Sequence, residues 1–272
     1  MTVAGRRVLH AVGLLCFAVI IGWAVYRSPP DLFLIKWYWL LAGFLLAGLA
    51  SAVQGLQMAL FLKHEQSVAT LRWSFWFTAE KAWMNTVFPV KAGTAGALLL
   101  LDRKMGVSWA RFVKFMLLCS GLTAGVSIAA ALAILPDAVP VLVPVLVLML
   151  AVLLSRALYP IRWGVLSTLT LLALAHLMLL SLGIAACLAG LGHGSTVIGI
   201  VATGVILNLL SIVSVTPGNF GVREVVLTAV APLLALDFSV IVQGAACYVI
   251  LRLFASLLIA TVLRGGALTD VA

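Results

Sequence analysis

Two places in this chain put a cation beside a backbone break within otherwise apolar sequence. In VFPVKAG, Lys91 lies between Pro89 and Gly93; in TPGNFGVRE, Pro217, Gly218 and Gly221 run into Arg223 and Glu224. A half-helix starting beyond a proline break presents unsatisfied N–H groups and the positive end of its dipole. Backbone donors, a dipole and a side-chain cation together favour one compact anion, a phosphate above all. Lys91 and Arg223 are the expected phosphate contacts, with Glu224 orienting Arg223 or taking a proton. Asn219, Gly93, Gly218 and Gly221 would frame the group, the glycines allowing close backbone approach. A plainer arrangement competes. Arg223 and Glu224 would neutralise their neighbours, Lys91 would reach to the interface, and the Trp-rich segment 65–88 would lie on a membrane as an amphipathic helix.

Other polar residues in apolar surroundings are supporting candidates. Glu80 and Lys81 are adjacent, hence about 100° apart on a helix, and are not natural partners for each other. Arg252 lies within an apolar run and needs a partner or a wet cavity. Gln54 and Asn208 read as hydrogen-bonding residues between helices, and Gly121 and Gly125 as a close-packing step. The four histidines share no metal-ligand spacing, and each of the four cysteines stands alone in an apolar run. No metal or other cofactor is expected. The eight carboxylates form no clustered pair, and no Gly-rich nucleotide loop follows a strand, so no enzyme is expected either.

The elements that must position these residues follow from composition. Of 272 residues, 64% are hydrophobic and 9% charged, with mean hydropathy +1.24. Soluble domains are about 45–50% apolar and about 25% charged, so the solvent here is largely lipid. That excludes soluble enzymes, nucleic-acid binders and secreted disulfide scaffolds. Spanning runs of about 20 apolar residues are expected at 8–26, 37–62, 109–135, 138–155, 163–190 and 239–263. The first is longer than a signal-peptide core of about 7–15 residues and no A-x-A site follows, so it reads as an uncleaved span. Trp37, Trp39, Trp109 and Trp163 open three of these runs as interfacial aromatics. Pro140 and Pro144 predict a distorted start for the fourth.

Segments 73–101 and 196–236 are interrupted in the middle, and their shorter arms cannot cross a core of about 30 Å. They are expected to fold back as two re-entrant hairpins, opposed across the membrane. With the hairpins counted as non-crossing, Arg6, Arg7, Lys63, Arg72, Arg103, Lys104, Arg111, Lys114, Arg156, Arg162 and Arg264 fall on one side. Only Arg27 and Lys36 fall on the other, together with Asp31, Asp137 and Asp237. This is the positive-inside asymmetry, with both termini cytoplasmic, and it accounts for the net charge of +9. Each half, 1–136 and 137–272, reads span, span, hairpin, span from opposite sides, suggesting an inverted repeat within one membrane domain.

TPGNFGVREVVL (216–227) with LDFSVIVQGAACYVILRLFASLL after it resembles the closing block of the flippase-like integral membrane family. That family includes the transmembrane region of lysylphosphatidylglycerol synthases, with a Pro-Gly-Gly-x-Gly-x-Arg-Glu turn and a later aromatic-Arg pair. NTVFPVKAGTAGALLLLDRKMGVSWARF (85–112) resembles its earlier Pro-x-Arg-x-Gly block. The resemblance implies a bacterial or archaeal plasma-membrane protein that moves, or helps to move, a polar lipid between leaflets. Pro217, Gly218, Gly221, Arg223, Glu224, Pro89 and Gly93 carry over, and Arg252 corresponds to the later Arg, with Tyr248 four residues back. Lys91 stands where the family has Arg, Asn219 where it has a second Gly, and Cys119-Ser120 where it has Glu-Arg. No soluble synthase domain is expected, so neither is aminoacyl-lipid synthesis.

The expected protein is all-α, with about six spans and two hairpins. It would bind and translocate an anionic phospholipid or a polyprenyl-phosphate-linked lipid, with no nucleic acid as partner. A non-transporting partner of a lipid-linked glycosyltransferase, or a small-solute transporter, are the alternatives.

Overall fold

The computed structural model describes residues 19, 22–23, 25–26, 35–67, 69–87, 92–134, 142–194, 196–212, 219, 222–231 and 237–269. Among them every regular element is helical and no strand occurs. In chain order these are α1 (Trp37–His64), α2 (Leu71–Val87), α3 (Ala92–Met105), α4 (Trp109–Ala133), α5 (Leu142–Leu158), α6 (Trp163–Gly190), α7 (Val197–Ile212), α8 (Val222–Val230) and α9 (Phe238–Thr269). Four are long and apolar enough to cross a membrane: α1, α4, α6 and, in α9, Phe238–Gly265. The chain is a helical membrane protein. Two expected spans correspond to less: most of 8–26 lies outside the described residues, and α5, at 17 residues, is about 26 Å long. Pro144 sits in the first turn of α5, where a missing N–H does no harm.

Residue size sorts the helix faces. On α1, Leu41, Leu45, Leu49 and Leu56 are exposed, while Gly43, Ala47, Ala50 and Gly55 are buried. Large apolar side chains face outward because lipid satisfies them, and small ones let neighbouring helices approach. Gly121 and Gly125 of α4 do the same against Ser155 and Ala151 of α5. Trp37, Trp109 and Trp163 are exposed at helix starts, and the Arg156 guanidinium lies 3.8 Å from the centre of the Trp163 ring.

Two sets of contacts define the ends of the bundle. At one, Glu65 after α1 accepts from Arg111 of α4 at 2.8 Å and from the Tyr159 hydroxyl after α5. At the other, Lys36 N–H donates to the Gly190 carbonyl at 3.0 Å, and His193 meets Gln243 of α9 at 3.2 Å. The pair α2–α3 connects the end of α1 to the start of α4, so it leaves from and returns to the Glu65 end. The pair α7–α8 connects the end of α6 to the start of α9, so it leaves from and returns to the Lys36 end. The Trp-rich α2 does not lie on the surface: Trp73, Trp76 and Phe77 are buried as it packs on α9 and α1. That corrects the amphipathic surface helix.

Packing across the chain is paired. Helix α2 lies on α9 and α7 lies on α4; α1 touches α2 and α6 touches α7; α3 touches α4 and α8 touches α9. Between the two groups run the long contacts of α1 with α6.

Candidate functional site

Polar residues recur at helical spacing on the inward faces of otherwise apolar helices. They are Gln54 and Gln57 on α1; Thr78, Lys81 and Asn85 on α2; Ser120 and Thr123 on α4; Asn208 and Ser211 on α7; and Tyr248, Arg252 and Ser256 on α9. Separations of three, four and seven or eight place each set on one face. All of these faces line one cavity of about 270 Å³, which Asn219 and Arg223 also line. Arg252 stands near the middle of the apolar segment Phe238–Gly265, about 20 Å from either end at 1.5 Å per residue. The cavity is therefore at mid-bundle.

Its cations are held in different ways. Arg252 Nη2 donates to Gln54 Oε1 at 3.2 Å, Gln54 Nε2 lies 3.4 Å from His176 Nε2, and His176 Nδ1 lies 3.3 Å from the Ala50 carbonyl. With Nδ1 protonated toward the carbonyl, Nε2 accepts from the amide, and each link of the relay pairs one donor with one acceptor. Arg223 Nε donates to Glu224 Oε1 at 2.8 Å, and both side chains are buried. Lys81 Nζ lies 4.0 Å from Met116 Sδ. No carboxylate lines the cavity among the described residues.

Described residues beside both breaks line this cavity. At the first, Asn85 joins the two arms: its Oδ1 accepts from Thr94 N–H and its Nδ2 donates to Thr94 Oγ1, both at 3.1 Å. At the second, Asn219 adopts φ 55°, in the left-handed region, and its amide donates to the Leu210 carbonyl. Asparagine tolerates this conformation where most residues do not. That explains how Asn serves at a position where glycine would serve too.

Two hydroxyls on the cavity wall have no partner among the described residues. Tyr248 OH and Thr78 Oγ1 are buried without a hydrogen bond, on side chains 0% and 2% exposed. Tyr248 owes its place to Gly183, where a Cβ would fall 2.2 Å from the Tyr248 ring.

The residues expected from sequence divide as follows. Arg223, Asn219, Lys81 and Arg252 line one cavity, and Glu224 engages Arg223 from behind it. Glu80 does not join them. It accepts from Trp83 Nε1 at 3.0 Å, because the residue next to an inward-facing Lys81 must point elsewhere. Gly93 lets α3 rest on α2, a Cβ there falling 2.4 Å from the Lys81 carbonyl, so its closeness serves the hairpin. The Thr94 N–H near the start of α3 is likewise taken by Asn85 within the hairpin. Pro89, Lys91, Pro217, Gly218 and Gly221 lie outside the described residues. Gln54 and Asn208 do bridge helices, Asn208 donating to Ser127 at 3.1 Å, and both also line the cavity. Thr78 and His176 were not anticipated as cavity or relay residues, and Tyr248 only as the aromatic four residues before Arg252; the spacing 248, 252, 256 was the available signal.

Compared with known proteins, the chain matches no protein-family model and no curated protein.

Proposed function

We propose that this chain takes the anionic headgroup of a lipid into its mid-bundle cavity and helps it cross between leaflets. The observation that carries this reading is the placement of Lys81, Arg223 and Arg252 around one polar cavity halfway along helices whose outer faces are leucine. Ionisable residues at such depth are expensive unless they serve a function. Donors that replace part of the headgroup's hydration lower the cost of bringing its charge to mid-membrane.

The architecture that suits this role has about six spans and two re-entrant hairpins in one domain, as an inverted repeat of halves 1–136 and 137–272. It is supported by hairpins that leave from opposite ends and by the paired packing of α2 on α9 with α7 on α4. Inverted repeats with discontinuous helices meeting near the midplane are the design of many secondary transporters. The Glu65 end, which gathers Lys63, Arg111, Lys114, Arg156 and Arg162, is the cytoplasmic one by the positive-inside rule. On this reading the chain resides in a bacterial or archaeal plasma membrane with both termini inside. The substrate class is an anionic phospholipid or a polyprenyl-phosphate lipid; Lys91 and the glycines near 218–221 remain proposed phosphate contacts. The protein acts without a cofactor and catalyses no covalent step.

The test is reconstitution into vesicles with fluorescent phosphatidylglycerol in both leaflets, read by dithionite quenching of the outer leaflet. Wild type should render nearly all probe accessible, and Lys81→Ala/Arg252→Ala should leave about half protected. Equal protection in wild type and empty vesicles would return the reading to a non-transporting partner.

A further inference from the structure

An anion site defines one end of a ligand; the rest of this cavity restricts what the other end can be. Resting on the lipid-headgroup reading above, we infer that the cavity selects an anionic headgroup whose remaining polar groups are hydroxyls, and rejects one bearing an ammonium. Two observations converge on this.

The first is the charge of the wall. Lys81, Arg223 and Arg252 line the cavity and no carboxylate does among the described residues. Glu224 engages Arg223 through both Nε and Nη2. An ammonium entering here would meet like charge at low dielectric and lose its own hydration, with no carboxylate to receive it. A phosphate meets the opposite situation.

The second is the pair of unpartnered hydroxyls. Thr78 lies one helical turn from Lys81 on α2, and Tyr248 one turn from Arg252 on α9. Each helix thus carries a cation and, one turn away, a buried hydroxyl with no hydrogen bond among the described residues. Leaving such a group unsatisfied is costly, and native proteins rarely do it without a use. A hydroxyl can both donate and accept, so it suits a ligand hydroxyl standing next to a phosphate held by the neighbouring cation. The cavity of about 270 Å³ has room for roughly nine waters at about 30 Å³ each. That accommodates a phosphate with a glycerol or one sugar ring and leaves the acyl chains outside.

Phosphatidylglycerol and phosphatidylserine separate this idea from simple charge attraction, because both carry one net negative charge and only the second has an ammonium. The full chain in detergent is titrated with each, and binding is read by native mass spectrometry and by thermal shift. Phosphatidylglycerol should bind at least about tenfold more tightly. Tyr248→Phe and Thr78→Val remove only the hydroxyls; each should keep the fold and reduce that preference several-fold. Equal affinity for the two lipids, both weakened by Arg252→Gln, overturns the selectivity and leaves the headgroup site standing. Affinities indifferent to Lys81→Ala and Arg252→Gln overturn the headgroup site itself. A preference unchanged in Tyr248→Phe, with a more stable protein, overturns the role of the hydroxyls. Soluble glycerol phosphate distinguishes the source: if it displaces phosphatidylglycerol the chemistry stands with a free ester as ligand, and if it does not, the lipid is the ligand.

Discussion

Arg252 and Gln54 stand 198 positions apart in the chain and meet at mid-bundle, the guanidinium donating to the amide oxygen at 3.2 Å. The amide in turn faces His176, whose far nitrogen faces the Ala50 carbonyl. A cation held by neutral groups keeps its full charge for the cavity, whereas one held by a carboxylate gives most of it up. In this respect Arg252 and Arg223 differ, though both line the same space.

Gln54→Ala should therefore damage binding without removing any charge. Hydrogen bonds to charged groups contribute about 1.5–3 kcal/mol, so headgroup affinity should fall by roughly tenfold or more. Arg252→Ala should fall further, and Gln54→Glu should recover the fold but not the affinity, because a carboxylate neutralises Arg252. Lipid titrations of the three variants check this order.

Asn219 can be tested by backbone preference alone. Its φ of 55° is open to Gly and costs most residues about 1–2 kcal/mol. Asn219→Ala should lower the melting temperature more than Asn219→Gly does, although both lose the bond to the Leu210 carbonyl. The reverse order would mean that the side-chain bond, and not the turn, is what this residue supplies.

At the basic end, the Glu65 carboxyl is raised by burial, but hydrogen bonds from Tyr159 and Arg111 outweigh this and hold it below its ordinary value of 4.5. A depressed carboxylate stabilises the fold at pH above the unfolded value and loses that contribution as pH falls through the folded one. Thermal stability of wild type relative to Glu65→Gln should be flat near neutrality and converge on acidification below about pH 4.5. Burial, and then the bond to Glu65, raises the Tyr159 phenol, so its own contribution is lost only in strong alkali.

Gly183→Ala should overpack the cavity wall, since the new methyl would fall 2.2 Å from the Tyr248 ring. Overpacking costs about 1–3 kcal/mol. Tyr248→Leu should relieve it, so the double variant should be more stable than the sum of the single losses predicts. Additive losses would show that the helices adjust without touching that ring.

Much of this arrangement was legible from residue type and spacing. Arg252, Lys81 and Arg223 stood out as ions in apolar sequence, and Gln54 and Asn208 as polar residues needing partners. The breaks expected at Pro89 and Pro217 lie outside the described residues, between α2 and α3 and between α7 and α8. What spacing could not express is convergence, because Gln54 meets Arg252 and Asn208 meets Ser127 only through the packing of distant helices. The step of about 100° between Glu80 and Lys81, read from their adjacency, sends Lys81 to the cavity and Glu80 to Trp83. The Thr78 and Tyr248 hydroxyls were not legible because both types are also ordinary packing residues, and only burial without a partner among the described residues sets them apart.

The packing of α2 on α9 also bears on how the chain is made. Helix α9 follows α2 by about 150 residues, which at about 5–20 residues per second leaves a delay of roughly 8–30 s during synthesis. Throughout that interval Lys81 and Thr78 lack the helix that closes their side of the cavity. The nascent first half must be sheltered, by water at the ribosome exit or by the insertion machinery, until α9 is delivered. A truncation that stops before Phe238 should consequently be recognised and degraded as an orphan, even though α1 to α8 would all be present.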